Sequence, residues 1–291
     1  MTDPRRVLRR YFEQQAEAGE TRLVLPRDGV ATLTAVGGPS IVVDEAGEPD
    51  ESSAAGASPP TPAQPQIDPD PAEDAEPKWL RGAPSIPGPG LEIVPPDTNL
   101  FVSDPLAEAS LEQLADMVRS CTRCQLCRTR TNGVPGEGAP NAQLMVVGEG
   151  PGAKEDETGR PFVGAAGQLL NEILNAIGCP RETVFIANIV KCRPPSNRAP
   201  ERDEVGACIP YLYRQIDLIR PSVILAMGGT AATALLDSRG SLGSLRNKVH
   251  RFRGIPLIVT YHPAALLRNP QWKKPTWDDV RIARRLFADR H

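Results

Sequence analysis

Aromatic residues make up only 4% of this 291-residue chain, and histidine occurs three times, at His250, His262 and His291. With imidazole so scarce, few side chains change charge near neutral pH, and each must be judged by its place. No apolar run approaches the ~20 residues of a membrane-spanning helix. The N-terminal stretch MTDPRRVLRRYFEQQ has arginines but no apolar h-region, so a secretory signal is not expected and a cytoplasmic setting is the default. Lys and Arg are absent from residues 44–76, which hold ten Asp or Glu. Removing those ten charges from a net charge of −3 leaves the rest of the chain at +7. A basic remainder favours a polyanionic partner.

What is present divides unevenly. Residues 1–43 suggest a helix with clustered arginines and a short apolar piece, with no chemistry of their own. Residues 44–102 are rich in Pro, Ala, Asp and Glu and show little periodicity, so they are expected to form a disordered linker. Trp79-Leu80 and the apolar patch at 91–94 are taken as chance hydrophobics within it. A folded domain is expected over 103–291. Ser103 and Pro105 supply a helix start, and Leu111, Leu114 and Val118 mark one helical face. Strand-like runs follow at 144–147, 184–190, 223–227 and 257–260, with helical stretches between them, notably 165–177 and 201–219. This alternation predicts an α/β fold: three αβα layers around a central four-stranded, mostly parallel sheet.

In such sheets a ligand sits at the carboxyl ends of the strands. Those ends read Gly148-Glu149-Gly150-Pro151-Gly152; Asn188, then Lys191-Cys192-Arg193; Gly228-Gly229-Thr230; and Tyr261-His262-Pro263. A Gly-rich turn lets backbone approach a ligand that side chains would obstruct. Six cysteines occur, with Cys121 and Cys124 in C-x2-C spacing and Cys192 and Cys208, separated by fifteen residues, as partners. Four thiolates suit either an iron–sulfur cluster or a structural zinc, and spacing does not separate the two. Cys127 extends the first pair to C-x2-C-x2-C and is a further candidate, whereas Cys179 reads as a small buried hydrophobe.

The pieces CTRC, GEGPG, GRPFVG, NIVKCRPP, Asn197-Arg198-Ala199-Pro200 and HPAALLRNP, in this order over some 180 residues, resemble the family 4 uracil-DNA glycosylases, iron–sulfur enzymes of bacteria and archaea. The resemblance implies the uracil-DNA glycosylase fold and a structural [4Fe-4S] cluster on Cys121, Cys124, Cys192 and Cys208, with Cys127 outside the ligand set. It implies a monomer that hydrolyses the N-glycosidic bond of deoxyuridine in single- or double-stranded DNA. Asn188 would then read uracil O4 and N3–H, since an amide offers one donor and one acceptor where cytosine presents the opposite pattern. Phe162 would stack on the flipped base, with Glu149 and Gly150 in the turn beside it. A neutral His262 would donate to uracil O2 as charge develops.

Family 1 enzymes carry an aspartate where this chain has Gly150, which leaves Glu155, Asn197 and Glu149 as candidates to activate water. Glu155 is also a candidate to exclude the thymine methyl, while Asp156 and Glu157 read as a solvated acidic loop. Leu266 and Leu267 are candidate wedges for the space left by the base, with Arg268, Arg193, Lys191, Arg198, Lys273 and Lys274 as phosphate contacts. A related enzyme type that crosslinks through a loop histidine is excluded, because no histidine lies between Met1 and Val249. The competing class is a non-catalytic nucleic-acid-binding module with a structural metal site.

Overall fold

A computed structural model describes residues 76–95 and 105–288. The expectations for residues 1–75, namely the N-terminal helix, the short apolar piece and most of the acidic linker, lie outside the described residues. No described helix is long and apolar enough to cross a membrane.

The four expected strands are the middle of the sheet. They are β3 (Leu144–Gly148), β4 (Phe185–Asn188), β5 (Val223–Met227) and β7 (Ile255–Thr260), parallel and in the order β7-β5-β3-β4. Three short strands enlarge the expected four-stranded sheet to seven: β1 (Pro89–Ile93) beside β6 (Val249–Phe252) on one flank, and β2 (Glu137–Gly138) on the other. β6 and β2 run antiparallel to β7 and β4, and β1 runs parallel to β6.

Helices cover both faces. Along β3, Met145 and Val147 enter one core with helices α2 (Leu111–Arg119), α5 (Arg202–Ile219) and α6 (Gly229–Leu236). Leu144 and Val146 enter the other, with α4 (Ala165–Ala176) and α9 (Lys273–Ala288). Alternate residues of one strand thus feed opposite cores, the period of two that a pleated strand imposes. The first helix differs from the expected single piece. It divides into α1 (Pro105–Glu108) and α2, because Ser110 caps α2 through a reciprocal bond pair with Gln113.

Residues 76–95 correct the expected linker boundary. Arg281 and Arg285 of α9 donate to the carbonyls of Arg81 (3.1 Å) and Pro84 (2.7 Å), and Arg284 lies 4.9 Å over the Trp79 ring. Leu91 N–H then donates to Nδ1 of the fully buried His250 at 2.9 Å. Trp79 and the 91–94 patch are therefore part of the fold. Their partners lie some 160 to 200 residues away in sequence, beyond the reach of a local periodicity argument.

The chain leaves β3 toward β4 on one side and reaches β7 through β5 on the other, so β3 and β5 flank the point where strand order reverses. The register sets Gly148 opposite Asn188 and Met227 opposite Thr260. The ligand crevice of such a sheet opens there.

Candidate active site

A cavity of about 470 Å³ occupies that crevice, lined by Glu149, Gly150, Glu155, Phe162, Asn188, Asn197, His262 and Arg268 among others. The strand ends read from the sequence converge on one space.

Asn188 closes β4 and is 2% exposed, yet its Oδ1 has no hydrogen-bond partner among the described residues. Leaving a buried amide oxygen unpaired costs about 1–3 kcal/mol, so the atom is in place for a partner from outside the chain. A Cβ on Gly148 would lie 2.5 Å from both Asn188 Oδ1 and Phe162 Cζ, so only glycine lets these two side chains meet at the strand end.

Phe162 sits at φ 50°, a left-handed conformation that costs a bulky residue of order 1–3 kcal/mol. Arg181 holds its carbonyl at 3.0 Å, and Glu155 Oε1 accepts from the next two amides, Val163 N (2.8 Å) and Gly164 N (2.9 Å). Glu155 therefore sustains the strained turn that aims Phe162. Glu155→Ala would leave both amides without their acceptor and is expected to lower the thermal midpoint by about 5 °C, with Glu155→Gln nearer wild type. Equal melting curves for the three proteins would remove this role. The Phe162 ring stacks on His262, with centroids 5.4 Å apart and planes at 30°.

His262 is the N-cap of α8 (Pro263–Arg268), and its Nδ1 accepts from Ala264 N at 3.2 Å. The ring proton is thereby assigned to Nε2, on the free side of the ring. Burial pushes the imidazole pKa down to about 4; the charge of Arg268 adds to this and Glu155 opposes it. At neutral pH the residue is an uncharged donor.

The other acids and amides are engaged. Glu149 Oε2 accepts a short hydrogen bond from Thr230 Oγ1, and Asn197 Oδ1 accepts from Arg193 Nε at 2.8 Å. A Cβ on Gly150 would lie 2.8 Å from Val190 Cγ2, so an aspartate at that position requires the wall to move. Asp156, expected to be solvated, is 4% exposed and accepts from Thr131 N and Asn132 N, pinning that loop to helix α3 (Ala153–Thr158).

Among the expected DNA contacts, Leu266 is 1% exposed. It shares the inward face of α8 with Pro263, three residues earlier, and is not a wedge. Leu267, at 51% exposure, and the exposed Arg268 remain on the outer face. Lys191 is 1% exposed and bonded to Asn188 O and Gln215 Oε1, so it makes no phosphate contact. Arg198 makes a two-pronged pair with the buried carboxylate of Glu204, at 2.8 and 2.7 Å. Tyr261, named from the sequence only as part of a strand end, and Trp272, not named from it, also line the cavity with rings stacked 4.7 Å apart at 9°. Their signal was adjacency: one precedes His262 and the other ends the loop after it.

Behind Asn188, a second, smaller cavity is lined by Cys121, Cys124, Cys127, Cys192 and Cys208 together with Tyr211 and Lys191. Polar groups donate to the sulfurs: Arg130 Nη1 to Cys192 (2.9 Å) and Lys191 N to Cys208 (3.2 Å). Burial pushes the Cys192 thiol up to about 11 and Cys208 up to about 12, so ionised thiolates there call for a bound cation. Among the described residues, no three His, Cys, Asp or Glu side chains are grouped as a single metal ion requires. Cys179, on the opposite face of the sheet, is buried in that core, as expected.

A family model described as the uracil DNA glycosylase superfamily matches residues 135–283. A type-4 uracil-DNA glycosylase of Pyrobaculum aerophilum is 49% identical over 168 residues, covering 55% of this chain and 86% of that protein. One from Thermotoga maritima is 47% identical over 164 residues, 56% of this chain and 85% of that protein. A type-5 uracil-DNA glycosylase of Pyrobaculum aerophilum is 33% identical over 153 residues, 47% of this chain and 67% of that protein. The family model spans half the chain and carries the strands, the Gly-rich turn and the His262 loop that build the cavity; the chain belongs to the uracil-DNA glycosylase superfamily and, within it, to the type-4 enzymes.

Proposed function

We infer that this protein hydrolyses the N-glycosidic bond of deoxyuridine in DNA, releasing free uracil and leaving an abasic site. The observation that carries the reading is the unpaired, buried Oδ1 of Asn188 in a cavity it shares with an uncharged His262. The target base must leave the stack to reach that depth. The Asn188 amide then meets uracil with its acceptor toward N3–H and its donor toward O4. His262 Nε2–H points its dipole at O2, where negative charge grows as the bond to the sugar breaks. Because the imidazole is neutral, it donates a hydrogen bond and keeps its proton, and uracil departs as an anion.

Water attack needs little help once the leaving group is stabilised. Glu149, Glu155 and Asn197 border the cavity, each with one side-chain oxygen already occupied. We assign Glu155 to holding the Phe162 turn, with its second oxygen and Asn197 as the groups nearest to a water-orienting role. Leu267, Arg268 and Arg193 form the DNA-facing rim, and the enzyme acts as a monomer on single or double strands. A cytoplasmic setting suits both the substrate and a set of free thiols.

The cysteine cavity fits an iron–sulfur cluster. Cysteine thiolates are the ligands of [4Fe-4S] clusters and equally of structural zinc, and the resemblance to the iron–sulfur family 4 enzymes favours the cluster at this set of cysteines. Cys121, Cys124, Cys192 and Cys208 would hold it, and when bound it would pin the segment after α2 to α5 without taking part in bond cleavage.

The test is release of free uracil from a uracil-containing oligonucleotide by the iron-replete protein. Tight binding of that DNA with no release would establish the non-catalytic module instead. Gly148→Ala is expected to cut the release rate by at least about 100-fold, because the added methyl displaces Asn188 or Phe162 from the base. A wild-type rate in that variant would show that the pocket lies elsewhere.

A further inference from the structure

We infer that Lys191 is a positioning residue for base recognition: from inside the protein it fixes the backbone of Asn188 and ties it to the wall of the cysteine cavity. This rests on the glycosylase reading above.

Every polar group of Lys191 is committed. Its Nζ donates to Asn188 O at 3.0 Å and to Gln215 Oε1 at 2.7 Å. Gln215, itself 2% exposed, cannot turn its amide, because its Nε2 donates to Pro135 O at 2.7 Å. The backbone N–H of Lys191 donates to Cys208 Sγ at 3.2 Å, and its carbonyl accepts from Val134 N at 2.7 Å. Cys208 and Gln215 are both buried residues of α5, seven positions apart and so on one helical face, gripped by the amide and the ammonium of the same lysine.

The need for a lysine follows from where the strand ends. Asn188 is the last residue of β4, paired with Gly148, the last residue of β3. Its carbonyl accepts from the ammonium of Lys191, a long, buried donor that reaches it from within the protein. An apolar side chain of the same length fills the space and leaves that carbonyl and Gln215 Oε1 unpaired. Asn188 reads the base through two hydrogen bonds, and a displacement of about 1 Å at such a site costs on the order of 100-fold in rate.

The experiment is a double-mutant cycle with Lys191→Met and Asn188→Ala in the iron-replete protein. It measures single-turnover uracil release, affinity for an uncleavable uracil-site oligonucleotide, iron content and visible absorption. Lys191→Met is expected to keep its iron and absorption and to lose about 30-fold in release rate, but less than about 2-fold when Asn188 is already Ala, since the lysine acts through that residue. Equal fold-losses in both backgrounds, an unchanged rate in Lys191→Met, or loss of iron with the activity would each overturn the proposal. If Lys191→Met does not fold, Gln215→Leu, which removes the partner that holds Nζ, enters the same cycle with the same expectation. Wild-type protein that releases no uracil would remove the glycosylase reading itself, before any variant is compared.

Discussion

Asn188→Ala is expected to lower single-turnover uracil release by about 10³-fold while leaving the melting temperature nearly unchanged. The rate loss combines two lost hydrogen bonds that hold the flipped base, of which the one donated to O4 strengthens as the leaving group gains negative charge, charge-assisted bonds being roughly twice as strong as neutral ones. Stability moves little because the wild-type fold already carries an unpaired Oδ1 at this place, so removing that atom also removes a penalty. A residue there for structural reasons alone predicts the opposite pair of results, a lowered melting point with a normal rate. Uracil release within threefold of wild type would sink the assignment of Asn188 as the base reader.

His262→Ala carries the other large effect, a loss of about 10²–10³-fold in the rate of bond cleavage with substrate affinity nearly unchanged, because the hydrogen bond to O2 strengthens only as the base departs. The pH dependence has a definite sign. With a folded-state pKa of about 4, below the ordinary value of 6.5, the unfolded chain binds the proton first as pH falls. The stability that His262 contributes is complete above about 6.5 and declines as pH drops toward 4. Below that, protonation at Nδ1 also sets two N–H groups against each other, since this nitrogen accepts from Ala264 N. Activity is therefore expected to hold flat from neutral pH down to about pH 5 and then fall, and His262→Gln should flatten the melting temperature between pH 4 and 6.5. A rate that drops through pH 6.5 would mean that the imidazole is not held neutral.

Much of this architecture was legible because the middle of the sheet is covered on both faces. Strands such as LMVV and VILAM then read as unbroken apolar runs, and their last residues could be named as site positions. The flanking strands were not legible: β2 is two residues long, and β1 is exposed along most of its length. The side chains misjudged were charged or amphipathic groups whose burial is decided by distant partners. Lys191 resembles a surface cation until Gln215, 24 residues on, is placed beside it. Glu204 does the same for Arg198. Glu155 could be named as important from the acidic loop, but its bonds to Val163 and Gly164 depend on a left-handed turn at Phe162 that no periodicity announces.

Strand β1 bears on how the molecule behaves among its own copies. Without it, β6 would present an open row of amides and carbonyls at the end of the remaining six strands, an invitation to strand-to-strand association. β1 occupies that edge and is itself a poor template: it begins with a proline, carries Glu92 facing outward, and breaks register between Pro89 and Glu92. A protein trimmed back to residue 103, where the local sequence suggests that the domain begins, would keep the entire cavity and lose this cover. Its distinguishing property should be concentration-dependent aggregation rather than loss of catalysis.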